Sequence, residues 1–79
     1  MNNKVFCVID SYEDFDGFDS FHELYVFETK EKALKFFHEQ TKVICDEMCP
    51  EDTELNKDYF VAISSRGNET LYIIEKEIL

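Results

Sequence analysis

Apolar and polar positions alternate with a period of two in KVFCVID, residues 4–10, and again in FHELYVFE, residues 21–28, and both runs are rich in β-branched and aromatic residues. Each predicts a strand, because successive side chains of an extended chain point to opposite faces. The period then changes. Thr29 offers an N-cap hydroxyl, and the run KEKALKFFHEQTKVICDEM that follows is built of good helix formers with no Gly or Pro before Pro50. Lys32 stands where a capping box would place Glu, so the cap is partial. At 100° per residue, Ala33, Leu34, Phe36, Phe37, Val43, Ile44 and Met48 gather on one side of the helix, and Lys32, Lys35, Glu39, Lys42 and Asp46 on the other.

Residues 49–58, CPEDTELNKD, read as a polar connector. YFVAIS at 59–64 and TLYIIEKE at 70–77 predict the last two strands, with Ser65, Arg66, Gly67 and Asn68 as the turn between them. Two hairpins bracketing one helix predict a single α+β domain over residues 1–79. It has two layers, a four-stranded antiparallel sheet (ββαββ) with the amphipathic helix packed on one face. Two strand arrangements fit: the hairpins join through their first and last strands, or the central pairing falls between other neighbours. In the second strand Phe21, Glu23, Tyr25 and Phe27 share one face, and His22, Leu24, Val26 and Glu28 the other. Neither face is fully polar, so some apolar side chains are expected to be exposed.

The chain has 79 residues, near the size at which one core only just suffices without metal, disulfide or oligomerisation. Eight Phe and four Tyr with one Pro and two Gly fit a compact domain rather than a disordered tail. No apolar run approaches the roughly 18 residues of a membrane span. The stretch MNNKVFCVID lacks the apolar core of a signal peptide. Cys7, Cys45 and Cys49 are an odd number, so reduced thiols and a cytoplasmic setting are expected.

Charge changes the picture most. Eighteen acids face eight bases, for a net charge of −10. Asp10, Glu13, Asp14, Asp16, Asp19, Glu23 and Glu28 follow one another without a single Lys or Arg. A second cluster, Asp46, Glu47, Glu51, Asp52, Glu54 and Asp58, is interrupted only by Lys57. Such a surface repels phosphate, which disfavours direct binding to nucleic acid or to an anionic membrane and favours cations or basic proteins.

Within the first cluster, YEDFDGFDSFHE at residues 12–23 approximates a calcium loop. With Gly17 at position six of an EF-hand, Asp14, Asp16, Ser20 and Glu23 fall at positions three, five, nine and twelve. Position one is Tyr12, however, a poor ligand for a hard cation, and position eight is Asp19 where an aliphatic residue belongs. Predicted strands, not helices, flank the segment. The preferred reading is an acidic hairpin loop in which Tyr12, Phe15, Phe18 and Phe21 interleave with acids. Those aromatics either fold back over the core edge or form a contact surface. The candidate partner-binding residues are Tyr12, Glu13, Asp14, Phe15, Asp16, Phe18, Asp19 and Glu23.

Catalytic chemistry finds little support. Cys45 and Cys49 sit among Asp46, Glu47 and Glu51, whose field disfavours a thiolate, and their spacing is Cys-x-x-x-Cys rather than the redox Cys-x-x-Cys. There is no phosphate-cradling glycine loop, His22 lies in an apolar-acidic strand where a surface or packed histidine is commoner than a base, and Arg66 is the one arginine. His38, Cys45 and Cys49 fall on one helical stripe, but His38 lies about 10 Å along the axis from Cys45, which leaves two ligands for a zinc ion. Neither an enzyme nor a metal or other cofactor is expected.

The junction Val26-Phe27-Glu28-Thr29-Lys30-Glu31-Lys32-Ala33-Leu34, together with Lys4–Asp10 and the acidic loop after it, resembles small uncharacterised bacterial and phage proteins of hairpin, helix, hairpin layout. The resemblance covers about the first 40 residues, concerns the fold, and transfers no functional residue. In size and charge the chain is also similar to small acidic phage inhibitors of host nucleases, some of which imitate the phosphate backbone. Glu75 and Glu77, on one face of a strand, stand about 6.6 Å apart, near the spacing of successive phosphates. The leading functional expectation is a non-catalytic acidic module that engages a basic protein surface. The alternatives are a calcium- or metal-responsive module using the 12–23 loop, and an acidic domain whose charge serves only solubility.

Overall fold

The structure is a computed structural model and describes residues 4–17 and 19–78. Its elements are β1 (Lys4–Asp14), β2 (Ser20–Phe27), α1 (Lys30–Met48), β3 (Asp52–Leu55), β4 (Tyr59–Ile63) and β5 (Gly67–Glu77). The strands form one sheet in the order β2-β1-β5-β4-β3, and every neighbouring pair is antiparallel. The architecture is therefore α+β with one helix on one face of the sheet, and the two hairpins do join through their first and last strands.

Two expectations are corrected. The sheet has five strands, not four, because Asp52–Leu55 inside the supposed connector pairs with β4, Glu54 opposite Val61 and Leu55 opposite Phe60. All four residues of β3 are exposed and three are polar, so no buried alternation marks the strand in sequence. Its pairing with β4 creates it, closed by Asn56 N–H donating to Tyr59 O at 2.8 Å and by the Tyr59 hydroxyl donating to Glu54 Oε2 at 2.6 Å. The second correction concerns the acidic loop. Residues 12–14 and 20–23 belong to β1 and β2, which leaves a turn of only 15–19. β1 has partners on both sides, Tyr12 between Phe21 and Glu69, and that double pairing carries the strand through polar sequence.

The helix follows its sequence signals. Thr29 is extended (φ −127°) and its Oγ1 accepts from Lys32 N–H at 3.2 Å. At the other end Cys49 takes the left-handed conformation (φ 46°, ψ 58°), its N–H donates to Cys45 O at 3.0 Å, and Pro50 follows. Ala33, Phe37 and Ile44 pack with Val8, Phe60, Ala62 and Leu71 to form the core, bordered by Phe6, Tyr25, Phe27, Phe36, Cys45, Met48 and Ile73. Val43, expected on the buried side, is exposed instead, whereas Thr41 is buried with its hydroxyl donating to His38 O at 2.7 Å. That local bond removes the desolvation penalty that made Thr look out of place in a core. No described helix is long and apolar enough to cross a membrane.

All three cysteines are free thiols: Cys7 buried, Cys45 half-buried and Cys49 exposed. A non-glycine residue in the left-handed region carries a penalty of about 1–2 kcal/mol. Cys49→Gly is therefore expected to raise unfolding stability by about 1 kcal/mol in a denaturant titration, after the greater chain entropy of Gly is set against it. A loss of stability would mean that Cys49 holds this conformation through a contact the cap geometry does not show. Phe37 is fully buried, so Phe37→Ala is expected to cost about 3–5 kcal/mol, with Lys35→Ala on the exposed side nearly silent. Equal effects would contradict the helix orientation.

Candidate functional site

On β1 the side chains that face the helix are Phe6, Val8, Asp10 and Tyr12. The third of these is an acid where the alternation calls for an apolar residue. Asp10 lies directly opposite Glu23 on β2 and opposite Leu71 on β5, and Glu69 stands one step along β5, opposite Tyr12. Leu71 belongs to the core, so Asp10, directly opposite it, and Glu69, two residues before it on β5, look toward the same layer. Above them the C-terminal half of α1 contributes Gln40, Val43, Ile44, Glu47 and Met48. Between helix and sheet these residues enclose a cleft of about 480 Å³, completed by Tyr12, Phe21, Tyr25 and, from the β4–β5 turn, Arg66.

The carboxyl groups perturb one another. Asp10 is only 6% exposed, and its Oδ1 has no hydrogen-bond partner. Burial raises its pKa, a hydrogen bond from Glu69 works the other way, and the charge of Glu23 raises it further. Glu69 is pushed up to about 8, first by burial, then by its hydrogen bond to Asp10, then by the charges of Asp10, Glu47 and Glu23. The two carboxyls hold one proton between them near neutral pH, which is how facing carboxyls avoid being charged together. Beside them the Tyr25 hydroxyl donates to Glu23 Oε2, and the phenol is pushed to about 12, chiefly by that bond. Tyr25 also packs on Phe36, ring centroids 4.5 Å apart, which fixes the wall of the cleft on the β2 side.

Bases do little to offset this field. Among the described residues the one ion pair is Lys4 Nζ with Glu75 Oε2 at 3.2 Å, remote from the cleft along β1. Glu75 is thus partly neutralised, which weakens the pairing of Glu75 with Glu77 as an imitation of phosphates. Arg66 lines the cleft and, among the described residues, pairs with no acid within 4 Å. Its backbone is held, since Arg66 O accepts from Phe15 N–H at 2.8 Å and Arg66 N–H donates to Ser64 Oγ at 3.2 Å.

The sequence-derived site residues divide among three places. Tyr12 and Glu23 line the cleft, and Tyr12 stacks on Phe21 with centroids 5.6 Å apart. Glu13 points to the opposite face of the sheet, one residue out of phase with Tyr12. Asp14, Phe15, Asp16 and Asp19 make the tight β1–β2 turn: Asp14 N–H donates to Asp19 O at 2.9 Å, and Gly17, at φ +75°, donates to Asp14 O at 3.0 Å. Phe15, Asp16 and Asp19 are exposed; Phe18 lies outside the described residues. The residues that sequence reasoning missed are Asp10, Glu69 and Glu47. Asp10 had a legible signal, as the acid that continues the phase of Phe6 and Val8 within KVFCVID, while Glu69 fell between the predicted turn at 65–68 and the predicted strand at 70–77.

Strands rather than helices flank the turn, and among the described residues no three His, Cys, Asp or Glu side chains converge on a metal-sized site. His38 and Leu34 turn toward a separate groove over Phe6 and Ile73, whereas Cys45 faces Phe60 and Leu55 on the β3 side. Comparison with family models, with curated proteins and with solved structures returns no match.

The raised pKa of Glu69 sets a stability profile. In the folded chain Glu69 keeps its proton up to about pH 8, but the unfolded chain releases it near the ordinary 4.5. The folded state binds more protons in that window. The stabilising contribution is thus complete below about 4.5 and is lost as pH rises to about 8. Melting temperature is expected to fall across this range, and Glu69→Gln, which cannot ionise, is expected to flatten the slope. An unchanged slope in the variant would place the pH dependence in general acidic repulsion instead.

Proposed function

We propose that the chain is a non-catalytic binding module that seats a lysine or arginine side chain of a basic protein in the cleft formed by Asp10, Glu23 and Glu69. One observation carries the reading: Asp10 lines the cleft almost wholly buried, and its Oδ1 has no hydrogen-bond partner. A buried carboxylate oxygen without a donor is costly. An ammonium or guanidinium entering the cleft supplies that donor and neutralises the surrounding charge. The walls suit such a guest, because Tyr12, Phe21 and Tyr25 offer aromatic faces to the stem of a long basic side chain.

Outside the cleft, Asp14, Asp16 and Asp19 form a rim that steers a cationic partner toward it. Proteins that bind nucleic acid carry the matching surface, lysines and arginines spaced for phosphates. A nuclease or another nucleic-acid-binding protein, held by imitation of its phosphate track as in the phage inhibitors that the chain resembles in size and charge, is the partner class this reading favours. Free thiols in all three cysteines suit a reducing cytoplasm.

A lysine-rich peptide titrated calorimetrically at low salt tests this reading. Asp10→Asn is expected to weaken binding about tenfold or more, because it removes the charge that the guest neutralises. The triple change of Asp14, Asp16 and Asp19 to Asn is expected to slow association more than it speeds release. A guest cation displaces the proton shared by Asp10 and Glu69, so affinity is expected to rise with pH up to about 8, by at most about tenfold per pH unit. Glu69→Gln abolishes that dependence. Equal affinity of wild type and Asp10→Asn would sink the cleft as the seat, and the loss of affinity in the triple variant alone would move the site to the turn.

A further inference from the structure

On the helix-facing side of the sheet, at the end away from Asp10, a groove of about 600 Å³ runs between the N-terminal half of α1 and the strands. Its floor is apolar: Phe6 on β1, Ile73 on β5 and Leu34 on the helix, all half-buried. Lys30, Leu34 and His38 recur every fourth residue and make one stripe of helix about 12 Å long. The β3–β4 turn adds Lys57 and Asp58, and Ile73 N–H holds that turn to the sheet by donating to Asp58 O at 2.8 Å.

We propose that this groove binds a single-chain aliphatic monocarboxylate, a fatty acid of about eight to ten carbons, with its tail over Phe6, Leu34 and Ile73 and its carboxylate between Lys30 and Lys57. Charge selects this occupant. Glu75 at the end of the groove is matched by Lys4 at 3.2 Å, and Asp58 offsets one of the two lysines, which leaves a local surplus of one positive charge in a chain of net charge −10. Among the described residues neither Lys30 nor Lys57 pairs with an acid within 4 Å. One carboxylate neutralises that surplus. A phosphate group, with nearly two charges, overshoots it, and no arginine lines the groove to grip it at two points. An acidic protein segment meets the rest of the surface, which repels it, whereas a small anion inside the groove feels chiefly the charges within a Debye length of about 8 Å.

The helix supplies a second argument. Its charges run against its dipole at both ends: Lys30 and Lys32 stand in the first turn, where anions are favoured, and Asp46 and Glu47 in the last, which holds no base. Local rules of this kind are broken where a site needs the charge. Glu47 lines the acidic cleft, and Lys30, at the first helical position, lines this groove, where a bound anion offsets its unfavourable placement. The groove shares no lining residue with the cleft, so the inference does not depend on what the cleft binds.

NMR titration of the full chain with hexanoate, octanoate and decanoate, below their micelle concentrations, tests the proposal. Octanoate is expected to bind with a Kd of about 1 mM and to shift the methyl signals of Leu34 and Ile73. Affinity is expected to rise about two- to fourfold per added methylene, and octan-1-ol, the same tail without the charge, to bind about tenfold more weakly. Lys30→Gln combined with Lys57→Gln is expected to weaken octanoate about tenfold without lowering the melting temperature, a split that a merely structural role for the lysines does not produce. Asp10→Asn is expected to leave octanoate binding unchanged, which separates the groove from the cleft. The absence of any shift at Leu34 and Ile73 up to about 10 mM decanoate overturns the proposal. So does equal affinity for octanoate and octan-1-ol, equal affinity of wild type and the double variant, or a shift confined to Val43 and Ile44 in the cleft. A peptide of alternating Leu and Glu that displaces octanoate at lower concentration assigns the groove to a protein segment and overturns it as well.

Discussion

Pairing of the first strand with the last is the constraint from which the fold grows. β1 and β5 run antiparallel over eleven residues, from Lys4 opposite Glu77 to Asp14 opposite Gly67, and the other strands add outward from that pair. Closing the whole chain into one ladder carries a large loop entropy, and topologies of this kind fold slowly because no local contact can substitute for it. The approach at the far end of the ladder is close: a Cβ on Gly67 would lie 2.3 Å from Glu13 O. Only a residue without a side chain lets the two strands meet there. The same closure brings the β4–β5 turn against the β1–β2 turn, through Phe15 N–H and Arg66 O, and so sets Glu69 and Arg66 beside Asp10.

A single helix cannot clothe the sheet that this pairing nucleates. Nineteen residues make α1 about 28 Å long but only about 10 Å wide with its side chains, against a sheet of five strands about 19 Å across between outer strand axes. α1 leads from β2 at one edge to β3 at the other, so it must cross the sheet obliquely. Where it lies over Val8 and Leu71 the core is closed. Beside its C-terminal half the cleft opens between helix and sheet, with Asp10 buried in its wall and Glu23 and Glu47 exposed at it. Among the described residues no helix covers the other face. The cleft thus arises from one shortage, too little helix for too much sheet.

Much of this frame was legible in the sequence, and the failures share a cause. The helix could be read to within a residue at each end, because Thr29, the unbroken run after it and Pro50 are local signals. β3 could not be read, since DTEL has no apolar alternation and exists through its pairing with β4. The extent of the acidic loop was overread for the same reason: Tyr12, Glu13, Asp14 and the residues of β2 opposite them become strand through cross-strand partners that local pattern does not contain. At the site, Asp10 was visible as a phase error in an apolar strand. Its meeting with Glu69, 59 positions later in the chain, required the strand order that the sequence left open.

Stability and occupancy of the cleft are consequently tied together. A domain of this size has only a few kcal/mol of net stability, and a buried carboxyl pair draws on it compared with apolar residues of the same shape. Holding one proton between Asp10 and Glu69 lowers that cost near neutral pH, and the fold becomes weaker as the proton leaves. A bound cation does what the proton does, with the further gain of its own contacts. A guest at about a hundred times its Kd adds about 2.7 kcal/mol to the folded state, comparable with the whole reserve. If the cleft takes a basic side chain as proposed, its filling adds to the stability of the fold, so a cation that fits it is recognisable by the stability it confers.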